Sequence, residues 1–353
     1  MSPLSHGERL PIMDGMAKPF KVGIFDHVDR GSGDTAAFFA QRLALTELYD
    51  RLGFYSYHVA EHHSTPLGLA PSPNVYLSMV AGRTQRLRIG ALVYLLPFYH
   101  PLRLLEELCM LDQMSGGRLD VGIGKGVSPV EAGFHGVDPK TSQAVFEETI
   151  DVLLAGFATR QLTFDGDFFH YDKIPIELAP YQRPHPPLWY GVTSAESAER
   201  CARRGYNILT STPPDEAAAV LGPHRAIARE RGGPELLGGI IRYIVVADTD
   251  AAALEIATAA YPSWYDSFHN LFRKYGTGPR YGARAVTFGE TIANGTGIAG
   301  SPDTVLRALQ AHADQADANY VVGQFAFGNM TYADAAHSIE LFASDVMPQL
   351  LEA

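Results

Sequence analysis

The segment Ala60-Glu61-His62-His63 is the first place in the chain that could move a proton. An imidazole titrates near neutral pH, so a histidine at the mouth of a pocket can serve as acid or base. Consecutive side chains on a strand point to opposite faces. At most one of His62 and His63 therefore faces a given site, and either could instead be a satisfied structural histidine. A metal is not expected there: three consecutive ligands cannot share one face, and the HExxH spacing is absent. A second cluster is Gly122-Ile123-Gly124-Lys125-Gly126. It has neither the Ser or Thr of a P-loop nor the spacing of a dinucleotide fingerprint. Gly124 and Gly126 would let a flat ligand approach the backbone, and Lys125 would add one positive charge. The alternative is a plain tight turn. The third cluster is Thr193, Ser194 and Ser197 at the start of a helix. Free N–H groups and a partial positive charge suit a phosphate there, while Ser194 would equally be an ordinary N-cap. Lys125 and this helix start follow neighbouring strands and together outline a phosphate site.

These residues need elements to carry them. Apolar runs read as strands over 20–25, 54–60, 87–95, 118–123, 188–192, 207–211, 240–247 and 319–325. Helical spacing covers 35–51, 73–82, 101–114, 143–159, 195–204, 215–231, 250–272, 302–313 and 333–351. Near-continuous apolar strands alternating with helices imply a parallel sheet buried on both faces. Eight such units predict an α/β fold, a (β/α)8 TIM barrel with insertions, whose site lies at the carboxyl ends of the strands. Residues 1–18 read as a flexible tail and 19–353 as one barrel domain. Two stretches interrupt it. Residues 160–186 begin as a hairpin turning at Asp165-Gly166. Residues 273–300 are Gly-rich without a sustained period, a long loop and candidate mobile lid.

Composition narrows the function classes. The chain has 353 residues, 46% of them hydrophobic, and a net charge of −11. This apolar fraction supports a full core. The acidic balance argues against a nucleic-acid partner, whose phosphates need clustered Lys and Arg. Cys109 and Cys201 are too few for a disulfide scaffold. No uncharged apolar run approaches the ~20 residues of a membrane span, and the first residues make no signal peptide. A cytoplasmic protein is expected.

Three blocks resemble bacterial luciferase and its relatives, the luciferase-like flavin-dependent monooxygenases. They are Ala60-Glu61-His62-His63 with Gly68-Leu69 and Pro73-Asn74; the run Leu96 to Arg103, continuing to Leu111-Asp112-Gln113-Met114-Ser115-Gly116-Gly117-Arg118; and Ile298 to Pro302 with Leu341 to Pro348. The resemblance implies that reduced FMN (FMNH2), supplied by a separate flavin reductase, reacts with O2 and oxygenates a small organic substrate. It implies that His62 is the catalytic base. It places the cofactor phosphate on Lys125, Thr193, Ser194 and Ser197, and the ring above Leu92 and Val93, where luciferases have a non-proline cis peptide. It departs where luciferase has a reactive cysteine, here Gly124, an arginine, here Lys125, and a glutamate, here Thr193. Light emission and a long-chain aldehyde are therefore not expected. A deazaflavin-dependent hydride-transfer enzyme and a non-catalytic flavin binder are the alternatives on the same fold. The family's subunit interface suggests a homodimer through helices 73–82 and 101–114, where Leu104, Leu105, Leu108, Met110 and Leu111 spread wider than one barrel-facing stripe.

Overall fold

The computed structural model describes residues 20–31, 33–279 and 284–352. The tail expected over 1–18, and residues 280–283 of the Gly-rich segment, lie outside the described residues. In chain order the strands are β1 (Lys21–Asp26), β2 (Ser56–Val59), β3 (Arg88–Leu95), β4 (Leu119–Gly124), β5 (Gln161–Asp165), β6 (His170–Pro175), β7 (Leu188–Gly191), β8 (Asn207–Thr210), β9 (Gly238–Val246), β10 (Gly297–Gly300) and β11 (Tyr320–Gln324). Strands β1, β2, β3, β4, β7, β8, β9 and β11 pair in parallel in that order, and β11 closes on β1. This is the TIM barrel that the eight apolar runs predict.

The helices hold the strands by burying one face each. Thr35–Leu52 starts where the Asp34 side chain accepts from the Ala37 N–H at 2.8 Å. It ends at Gly53, whose φ of 86° suits a residue without a Cβ. Pro101 opens Pro101–Met114 at a position where its missing N–H costs nothing. In that helix Leu104, Leu105, Leu108 and Leu111 are at most 1% exposed. They pack into the molecule's own core, so the expected surplus of apolar surface is not theirs. What helices Pro73–Arg83 and Pro101–Met114 do leave exposed is Val75, Met79, Met110 and Met114.

The interruptions take more definite forms than the sequence suggests. Strands β5 and β6 make the expected hairpin, pairing Asp165 with His170. The Glu148 carboxylate gathers the N–H groups of Asp167, Phe168 and Phe169 at 2.9, 2.9 and 2.6 Å, so a helix anchors the turn. The Gly-rich segment is not one long loop. It contains the end of helix Asp250–Tyr275, the helix Phe288–Ala293, and β10, which pairs with β9 from Tyr243 to Val246. Gly297 is required there, because a Cβ would collide with the Thr291 side chain. The last helix, expected as one rod, widens into a π turn over Phe342–Val346. Pro348 follows and has no N–H for the carbonyl of residue 344. Among the described residues no helix is long and apolar enough to cross a membrane.

Candidate active site

At the carboxyl ends of the strands the barrel opens into a cavity of about 660 Å³. The predicted residues His62, Leu92, Val93, Gly124, Lys125, Gly126, Thr193 and Ser197 all line it. Ser194 does not. Its side chain accepts from the Ser197 N–H at 3.3 Å and caps helix Ala195–Arg204. The capping alternative therefore describes Ser194, and the cavity receives Ser197 instead.

The Glu-His-His segment divides as strand geometry requires. His62 lines the cavity, while His63 packs on Phe98 and His135. Glu61 is a buried anchor: its carboxylate takes the His63 ring at 2.7 Å, the Leu95 N–H at 3.0 Å and the Tyr99 hydroxyl at 2.9 Å. It thereby ties the end of β2 to the end of β3. His62 Nδ1 lies 3.3 Å from Glu131 Oε1, and Glu131 Oε2 accepts the His63 N–H at 2.8 Å. Burial alone would raise the Glu131 carboxyl. The adjacent His62 ring, its hydrogen bond and the His63 N–H outweigh burial and hold it below the usual carboxylate range. A carboxylate on Nδ1 fixes the proton there and leaves Nε2 as the basic nitrogen. Sequence reasoning missed Glu131. It sits in the six-residue helix Pro129–Phe134, whose N-cap Ser128 was the one local signal.

Around the rim, β2, β3, β4 and β7 are consecutive neighbours. They present in turn His62, the Leu92–Val93 peptide, Gly124 to Gly126, and Thr193 with Ser197. Arg200, one turn further along the helix, also lines the cavity and donates to Ser197 Oγ at 2.9 Å. It too was missed; its spacing three residues after Ser197 is the available signal. Lys125 Nζ meets Gln143 Oε1 at 2.9 Å. Two cations, two hydroxyls and a helix N-terminus thus share one side of the cavity, a donor set suited to a phosphate. Gly191 lines the same side, and a Cβ there would meet nothing within 4 Å, so the backbone is open to a close-lying flat group. The opposite wall is aromatic, with Phe25, Tyr243, Tyr261, Trp264 and Phe268.

The family model for luciferase-like monooxygenases matches residues 20–318. The chain belongs to this family. This luciferase-like monooxygenase is 36% identical to protein y4wF of Sinorhizobium fredii, itself uncharacterised, over 93% of the chain and 96% of that protein. It is 27% identical to the oxygenase component of the flavin-dependent trigonelline monooxygenase of Acinetobacter baylyi, over 72% of each. Monooxygenase RslO1 from Streptomyces bottropensis has the same fold, with a TM-score of 0.84 at 25% identity, covering 93% of this chain and 99% of that one.

Within this luciferase-like monooxygenase the Leu92–Val93 bond is cis, at the place the resemblance implied. The departure at residue 124 also has a packing reason. A Cβ on Gly124 would run into the Val93 side chain, and one on Gly122 into the Ala91 carbonyl oxygen. Val93 occupies the space that a side chain at 124 would need.

Proposed function

We propose that this chain is the oxygenase of a two-component system. It takes up reduced FMN from a separate reductase and uses O2 to oxygenate a small organic substrate beside His62. The observation that carries this reading is the order around one rim: a histidine–carboxylate pair, a flat floor, and a cation-and-hydroxyl cluster at a helix start. Bound reduced FMN would supply the electrons that activate O2. Lys125, Arg200, Thr193 and Ser197 would hold its phosphate, and the Leu92–Val93 peptide with Gly124 would support the ring. His62 Nε2 takes a proton from the reacting substrate or returns one, and Glu131 stabilises the imidazolium that results. The aromatic wall excludes water, which protects a reactive oxidant. Arg284, Ala285, Asn294 and Thr296 line the cavity from the Gly-rich segment, which supports its reading as a lid.

Anaerobic fluorescence titration with FMN, reduced FMN and a deazaflavin tests the cofactor. Reduced FMN should bind best. Arg200→Ala removes a charge-assisted hydrogen bond and should weaken that binding by about tenfold or more. Preference for the deazaflavin, or an unchanged affinity in R200A, would contradict the assignment.

A further inference from the structure

We propose that His27 donates a hydrogen bond from Nε2–H to the carbonyl oxygen of an uncharged, apolar ketone or aldehyde bound against the aromatic wall. This rests on the monooxygenase reading above and names the substrate class for the same cavity. His27 follows β1 and lines the cavity. Its Nδ1 lies 3.5 Å from the Trp264 indole nitrogen and 3.2 Å from Gln324 Nε2. An indole N–H can only donate, so Nδ1 must accept. The Gln324 amide nitrogen then also donates to it. With its Nδ1 lone pair engaged, the ring is neutral and its proton is on Nε2. Burial, followed by His62, Arg284 and Arg42, lowers the His27 pKa well below the ordinary histidine value, which agrees with a neutral ring. Among the described residues no hydrogen bond engages Nε2.

The His62 ring lies nearly parallel to that of His27, with centroids 5.8 Å apart and planes at 24°. The two imidazoles have opposite polarity. Glu131 fixes the His62 proton on Nδ1 and leaves its Nε2 as an acceptor. Trp264 and Gln324 fix the His27 acceptor and leave its Nε2 as a donor. A carbonyl oxygen is the group that matches a fixed neutral donor beside a base. The remaining wall is apolar: Trp264 stacks on Phe268 at 5.4 Å and on Tyr261 at 5.4 Å, and the Tyr261 hydroxyl is committed to the Ala285 carbonyl at 2.9 Å.

The probe is para-dimethylaminocinnamaldehyde, an apolar chromophoric aldehyde whose absorbance moves to the red when its carbonyl accepts a strong hydrogen bond. Wild-type protein should bind it with a red shift. His27→Phe should bind it without the shift, and His27→Gln, which keeps an N–H, should retain part of it. Tyr243→Phe and His62→Ala should keep the shift. Thermal melting of each variant reports folding, and H27Q keeps the test decisive if H27F does not fold. An equal shift in H27F or a complete loss in H27Q would overturn the proposal, as would loss in Y243F or no binding by wild type. FMN titration on the same samples reads the cofactor assignment separately. A wild type that binds the aldehyde but not FMN would contradict that assignment and leave the His27 contact supported.

Discussion

At the residue scale the account turns on which nitrogen of His62 is free. Glu131 Oε1 at 3.3 Å from Nδ1 settles it, and the carboxylate is held ionised by the ring beside it. Glu131→Gln keeps the shape but removes the charge that stabilises an imidazolium. Substrate-dependent oxygenation should fall by about tenfold or more, and by about 100-fold or more in His62→Ala, with folding retained. The pH dependence has a definite sign. Because the Glu131 pKa is depressed, its contribution is complete at neutral pH, persists through the ordinary carboxylate range and is lost only below it. E131Q should lack this acid-side loss and be slower at every pH above it; a pH–rate profile of both proteins checks this. His62, Lys125 and Ser197 were legible because each follows an apolar run at a strand's carboxyl end. Glu131 was not, since 69 residues separate it from His62 and its short helix has no period. Arg200 reads in sequence as a surface charge answering Glu196, a pair the structure does contain at 3.7 Å.

At the element scale, β3 and β4 form the floor by sacrificing side chains. Gly122 and Gly124 let β4 lie against the Ala91–Val93 stretch, with the register shifting between Ala91 and Tyr94. Gly124→Ala should therefore displace Val93 and weaken reduced-FMN binding. Adding Val93→Ala should restore part of it, because the shorter side chain vacates the space. A G124A protein that binds as tightly as wild type would show that the floor is not formed this way. The barrel strands were legible because parallel strands buried on both faces are apolar throughout; β2 and β4 are buried at every position. Strand β10 was not. It is four residues long, two of them glycine, and exists through pairing with β9 and packing on Thr291. Its glycines answer tertiary crowding, which resembles loop composition when only neighbours in sequence are considered. The π turn at Phe342–Val346 was hidden for a related reason: the apolar period continues across it while the hydrogen-bond ladder changes.

At the scale of the whole molecule, the barrel gathers the cofactor residues from β2 to β7 on one arc of the rim, and β9, β11 and helix Asp250–Tyr275 supply the aromatic side. The helices beneath that arc leave Val75, Met79, Met110 and Met114 exposed. Four large apolar side chains on two packed helices support a homodimer through this face. Sedimentation should give a dimer for wild type and a monomer for Met79→Glu with Met110→Glu; a wild-type monomer would contradict it. The most direct test of the central claim is a single turnover with chemically reduced FMN, isotopically heavy O2 and a panel of apolar ketones and aldehydes. The account expects one heavy oxygen atom in the product of wild type, and hydrogen peroxide without product in H62A. Conversion without O2 consumption, or product formation undiminished in H62A, would contradict it.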